Sequence, residues 1–185
     1  MLPIIAIIIK AMWLMLQAVW LMLPAYIANP TAVIFGGGTP IDFGRNWHDG
    51  RRILGEGKTF RGLVGGGACG IIVGLIQRQV SPAGEIFVIP SITAVIALSF
   101  GALLGDIVKS FFKRRLGFER GEKLLLIDQL DFVAGAWILA YIVDPQWFTE
   151  NFTYWIIIIV LILTPILHRL TNIIGFHIKL KKEPW

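Results

Sequence analysis

Asp106, Lys109, Ser110 and Lys113 lie three, four and seven positions apart, so on a helix they share one face. Asp128 and Asp131 stand one helical turn apart on the next segment. Carboxylates at that spacing, close to several cations, suit a divalent metal and a polyphosphate, because hard cations take oxygen ligands and share them with substrate phosphates. The plainer alternative is salt bridging, of Asp106 to Lys109 or Lys113 and of Asp128 to Lys123 or Arg120. An acid at a helix N-terminus also meets the helix dipole favourably. Three acids at one depth beside apolar spans are costly, and that cost favours a functional reading. The expected metal set is therefore Asp106, Asp128 and Asp131, with Mg²⁺ as the ion and Lys109 and Lys113 as phosphate contacts. Arg115 is expected at the lipid surface, as an ordinary basic residue at a cytoplasmic helix end.

A second constellation is Gly57-Lys58-Thr59-Phe60-Arg61. It is not a Walker motif: the position five before Gly57 is Arg52, and no strand precedes it. The physics survives without the motif, since a Gly-rich turn feeding a helix N-terminus offers free N–H groups to a phosphate. Lys58, Thr59 and Arg61 would add donors. The competing reading is a re-entry loop whose glycines only permit turns. His48, His168 and His177 show no ligand spacing, which argues against zinc. Cys69 is the sole cysteine, reads as a small packing residue and can form no internal disulfide.

The elements that must hold these residues are apolar spans. The chain has 185 residues, 56% of them hydrophobic and 16% charged, with a mean hydropathy of +0.72. The charges are clustered, which argues for an all-α integral membrane protein. Five transmembrane helices are expected at about 2–28, 60–76, 86–108, 124–143 and 152–167, in one catalytic domain covering 1–185. The first stretch is too long for the core of an ordinary signal peptide and is expected to stay. Gly66, Gly70 and Gly74 line one face of the second span and leave room for a helix or a lipid chain.

Arg45, Arg51, Arg52 and Lys58 fall in the first loop, and Lys109 to Lys123 form a second basic loop. By the positive-inside rule both loops and the C-terminal tail are cytoplasmic and the N-terminus is outside. The net charge of +5 sits in short loops between spans, which excludes nucleic acid and favours anionic headgroups or phosphorylated substrates. A loop of some 30 residues at 29–59 is expected to be functional.

The succession Gly105-Asp106, Ser110-Phe111-Phe112-Lys113-Arg114 and Asp128-Gln129-Leu130-Asp131 resembles the CDP-diacylglycerol synthase (phosphatidate cytidylyltransferase) family. It departs from the bacterial pattern: no Lys-Asp pair follows Lys-Arg, no His-Gly-Gly precedes the acids, and Gln129 stands for an Arg. Pro40-Ile41-Asp42, Gly50-Arg51-Arg52-Ile53-Leu54-Gly55, Gly57-Lys58-Thr59, Arg61-Gly62, Arg120-Gly121 and Asp128 to Phe132 are similar to the short archaeal branch, the CDP-archaeol synthases. That resemblance covers the cytoplasmic loops and the whole length.

It implies a CTP-dependent nucleotidyltransferase of phospholipid biosynthesis. CTP and an isoprenoid ether-lipid phosphate, 2,3-bis-O-(geranylgeranyl)-sn-glycerol 1-phosphate, would give the CDP-activated lipid and pyrophosphate. Asp106, Asp128 and Asp131 would order Mg²⁺. Lys58, Lys109, Lys113 and Arg120 would hold phosphates, Ser110 would be a hydrogen-bonding neighbour, and an oligomer is compatible with the pattern. The rivals are a CTP-dependent polyprenol kinase, which would release CDP, and a non-enzymatic anion or lipid transporter. Transporters commonly carry internal repeats and broken helices, and neither is visible here.

Overall fold

The computed structural model describes residues 2–80, 87–119, 122 and 127–179. Among them the regular structure is all helical: α1 (Leu2–Ile34), α2 (Phe60–Val80), α3 (Ile92–Arg115), α4 (Ile127–Val143), α5 (Pro145–Asn151) and α6 (Tyr154–His177). Four of these, α1, α2, α3 and α6, are long and apolar enough to cross a membrane. Apolar side chains cover much of the outer surface, as lipid demands, while backbone polar groups are satisfied inside the helices. The protein is thus a polytopic membrane protein.

Several expected boundaries need correction. The first helix runs past Ala28 to Ile34 although Pro24 and Pro30 lie inside it. A proline removes one N–H and so frees the carbonyl four residues earlier. For Pro24 that carbonyl is Trp20 O, and it accepts instead from Gln77 Nε2 of α2 at 2.7 Å. The second helix runs on from residue 76 to Val80. The third begins at Ile92 rather than residue 86, where Ser91 caps it by accepting from Ala94 N–H at 3.0 Å. It continues to Arg115, so the basic run Lys113-Arg114-Arg115 is helical and not loop. The last helix continues through Pro165 to His177. A further short helix, α5, is capped by Asp144.

Two glycine seams set the packing. On α2, a Cβ at Gly62 would come within 2.7 Å of Ala32 O, and one at Gly66 within 2.6 Å of Ala28 O. A Cβ at Gly70 would lie 2.7 Å from Pro24 O. Steps of four along α2 thus meet steps of four along α1 in the opposite direction, and the glycine face belongs to helix packing rather than to a lipid chain. On α3, a Cβ at Gly101 would come within 2.6 Å of Gly135 O of α4, and Gly105 faces the backbone of Asp131 and Gly135. The core between the helices holds Met22, Leu98, Val133 and Val160.

The loop between α1 and α2 is folded. Isolated bridges join Pro40 to Thr59 and Asn46 to Arg52. Asp42, whose side chain is fully buried, accepts from Arg52 Nη2 at 2.8 Å and from the N–H groups of Gly44, Leu54 and Gly55 at 3.1, 3.0 and 2.9 Å. One carboxylate thereby gathers both limbs of the loop.

Candidate active site

The close α3–α4 contact at Gly105 brings the two acidic stretches face to face. Lys109 Nζ lies 3.1 Å from Asp106 Oδ1, 2.9 Å from Asp131 Oδ2 and 3.6 Å from Asp128 Oδ1. Lys113 Nζ lies 3.1 Å from both carboxylate oxygens of Asp128 and also donates to Glu122 O. Lys58 reaches in from the folded loop and pairs with Asp106 Oδ2. Lys58, Asp106, Lys109, Asp128 and Lys113 alternate in one chain, with Lys109 at its centre and Asp131 branching from it. Asp131 is the most enclosed of these three acids, its side chain 6% exposed.

Ser110 shares the face, but its hydroxyl donates to Asp106 O one turn back at 2.9 Å. Thr59 Oγ1 accepts from Gly62 N–H at 3.1 Å and so caps α2. Gly57, Lys58 and Thr59 all line a cavity of about 460 Å³ between α1, α2, α3 and the loop. Its polar wall is Asn29, Glu56, Lys58, Thr59 and Asp106, and its apolar wall includes Ala32, Leu63, Leu103 and Ile107. Arg61 is exposed and lies along Gly38 instead. Arg120 and Lys123 fall outside the described residues.

The expectation for Arg115 is corrected. It is not at the lipid surface: Nη1 donates to Asp49 at 2.6 Å and Nη2 to Arg52 O at 2.5 Å, and its guanidinium stacks over the rings of Trp47 and Phe111. Arg51 returns the contact by donating to Arg115 O at 3.0 Å, satisfying a free carbonyl at the end of α3. The loop is therefore clamped onto α3, and that clamp carries Lys58 to Asp106. Asp42 strengthens it. Burial alone would raise the Asp42 pKa, but the Arg52 bond and the three N–H groups hold the carboxyl well below the usual carboxylate range.

Sequence reasoning missed Asn29 and Glu56 on the cavity wall and Asp42 as the organiser of the loop. A signal for Asp42 was present in Asp42-Phe43-Gly44, where an Asp two residues before a Gly favours a turn closed by the side chain. Gly44 takes φ +79° there.

The donor set for a metal is all oxygen, from Asp106, Asp128 and Asp131, which fits a hard cation. As they stand, no three acids among the described residues are gathered tightly enough to hold a metal. The ammonium of Lys109 lies between them.

Such a site defines the class. The chain is a helical membrane protein with a cluster of paired acids and lysines beside a cavity that has a polar and an apolar wall. Comparison with known proteins gives the family. The CarS-like family model, described as CDP-archaeol synthase, matches residues 8–185. The CDP-archaeol synthase of Methanosarcina barkeri is 55% identical over 173 residues, covering 88% of this chain and 99% of that protein. That of Methanospirillum hungatei is 54% identical over 164 residues with the same coverage. A solved structure described as an intramembrane enzyme for archaeal membrane lipids biosynthesis superposes with a TM-score of 0.72 at 38% identity, covering 86% of this chain and 94% of that one. The chain belongs to the CDP-archaeol synthase family and is an enzyme of membrane lipid biosynthesis.

Proposed function

We propose that this protein transfers the cytidylyl group of CTP to 2,3-bis-O-(geranylgeranyl)-sn-glycerol 1-phosphate, giving the CDP-activated ether lipid and pyrophosphate. The observation that carries the reading is the Lys58–Asp106–Lys109–Asp131 chain, whose Lys58 and Asp106 line a cavity with one polar and one apolar wall. Family membership supports it. A phosphate oxygen of the lipid attacks the α-phosphorus of CTP, a new P–O bond forms, and the bond to the β-phosphate oxygen breaks. Charge develops on the leaving pyrophosphate, and fixed cations already in place stabilise it without reorganising. Lys58, Lys109, Lys113 and Arg120 are the residues for that role, and Gly57, Thr59 and Arg61 would help seat the triphosphate.

Asp106, Asp128 and Asp131 would hold Mg²⁺, which when bound supplies Lewis-acid neutralisation of the phosphates. Five spans are proposed, α1, α2, α3, α4 and α6, with the N-terminus outside and the site on the cytoplasmic face. Helix α4 has 17 residues and is about 25 Å long, short of a full hydrocarbon core. Its packing against α3 lets it end inside protein rather than lipid.

The test is pyrophosphate release by purified protein in detergent with CTP, Mg²⁺ and the geranylgeranyl ether-lipid phosphate, each omitted in turn. Release that needs all three is expected. CDP in place of pyrophosphate would make the protein a kinase, and no reaction by folded protein would remove the enzyme reading as stated.

A further inference from the structure

We propose that Lys109 is the resident cation of the acidic cluster: it holds Asp106, Asp128 and Asp131 together in the free enzyme and yields only when metal and nucleotide enter together. The inference rests on the reading of those acids as the metal set. Its ammonium lies 3.1, 3.6 and 2.9 Å from the three carboxylates, a central position that none of its neighbours shares. Lys58 is paired with Asp106 and Lys113 with Asp128, each from the outside of the cluster.

Charge balance explains the coupling. Three ammonium groups match three carboxylates, so the free cluster is neutral. A divalent ion alone would have to share the centre with Lys109, a like-charge contact that costs free energy in a partly buried site. A triphosphate alone would have to approach ionised carboxylates. Arriving together, the two let partners exchange: the carboxylates turn to the metal and Lys58, Lys109 and Lys113 turn to phosphate oxygens. After the exchange every carboxylate still faces a cation and every ammonium still faces an anion, whereas breaking a buried pair by removing one partner is the costly alternative.

The test is Mn²⁺ binding to the full chain in detergent, without nucleotide, read from the electron paramagnetic resonance of free Mn²⁺. Wild type is expected to bind weakly, and Lys109→Met at least tenfold more tightly. Lys58→Met removes the same charge from the edge of the cluster and is expected to change affinity less than threefold. Lys109→Met binding no tighter than wild type would overturn the proposal, as would an equal gain in Lys58→Met, which would reduce the effect to general charge. Should Lys109→Met be too unstable to handle at room temperature, its melting point is the second readout. Mn²⁺ without nucleotide should raise it while leaving wild type unmoved, and no rise would also overturn the proposal. The reaction is judged separately, by pyrophosphate release from wild type. A wild type that is inactive beside a Lys109→Met protein that gains Mn²⁺ would remove the reaction and leave the cation role standing.

Discussion

Gln77 stands in for the N–H that Pro24 lacks. Its side-chain amide donates to Trp20 O at 2.7 Å, the carbonyl that an ordinary residue at position 24 would have bonded along the helix. Gln77 is 2% exposed, so the carbonyl it serves is buried. Gln77→Leu should destabilise the protein by about 1–3 kcal/mol through the stranded carbonyl. Pro24→Ala in the same chain should recover part of that loss, because alanine brings its own N–H. Thermal unfolding in detergent of the two single variants and the double variant checks this, and strictly additive losses would mean that the two residues are not coupled.

The α3–α4 seam has no room for side chains, and the site depends on it. A Cβ on Gly101 would be 2.6 Å from Gly135 O and 2.8 Å from Ala136 Cα. Both are backbone atoms, which cannot move aside alone. Gly101→Ala should cost about 1–3 kcal/mol of stability. Separating the helices also pulls Asp106 from Asp131, so turnover should fall by more than the loss of folded protein accounts for. Activity per folded molecule, with folding measured by size-exclusion recovery, separates the two effects.

Asp42 and Asp144 are both acids with lowered pKa, at opposite ends of the molecule, and they should behave differently. Asp144 accepts from Ser91 Oγ at 2.5 Å and Thr93 Oγ1 at 2.6 Å, and these bonds lower its pKa. It lies at the far end of α4 from Asp128, about 24 Å along the helix axis. Asp144→Ala should cost about 1 kcal/mol as a lost cap and leave KM for CTP unchanged. Asp42→Asn should raise KM for CTP, because the loop that carries Lys58 loosens. A carboxyl with a depressed pKa stabilises the folded state above its unfolded value, near pH 4, and that contribution is lost as pH falls below it. The stability gap between wild type and Asp42→Asn should therefore be full at pH 7 and shrink below about pH 4. A gap that widens in acid would contradict the assignment.

Arg115 clamps the loop through Asp49 and Arg52 O, with a side chain that is 17% exposed. Arg115→Met keeps a long apolar stem over Trp47 and Phe111 and removes only the donors. It should leave stability within about 1 kcal/mol of wild type, as expected for a partly exposed pair. Protease cleavage within 43–55 should become faster, and CTP should slow it again if nucleotide orders the same loop. Unchanged cleavage would show that Arg52 and Asp42 suffice.

The acids and lysines of α3 and α4 were legible because helical spacing alone places them. Three, four and seven residues define a face whatever the surroundings. The partner of each was not legible, since Lys58 reaches Asp106 across 48 positions of chain, which only the folded loop brings about. Arg115 was read as a topology marker because basic residues at helix ends are common. What distinguishes it is Trp47 and Asp49, distant in sequence and adjacent only after the loop docks. The glycine stripe of α2 was legible as a close-packing face, but the choice between helix and lipid needed Ala28 and Ala32 on α1. The first and last helices were expected to end at 28 and 167 and run on to Ile34 and His177; the prolines inside them do not stop them, and at Pro24 the carbonyl one turn back is taken by Gln77.

Asp128 and Asp131 offer the sharpest separation of roles within the site. Asp131 is nearly enclosed and is 2.9 Å from Lys109, whereas Asp128 is held at 3.1 Å by Lys113 and is more open. Asn at either position preserves shape and removes the charge that a metal and a lysine both need. Each variant should lose at least 100-fold in turnover, equivalent to about 3 kcal/mol of transition-state stabilisation. Asp131→Asn should also weaken Mn²⁺ binding in the presence of CTP, while Asp128→Asn should chiefly raise KM for CTP because Lys113 loses its anchor. Both should elute as folded protein. Near-normal turnover in both would remove the carboxylates from the mechanism. Loss in Asp131→Asn alone would confine the metal role to the acids nearest Lys109.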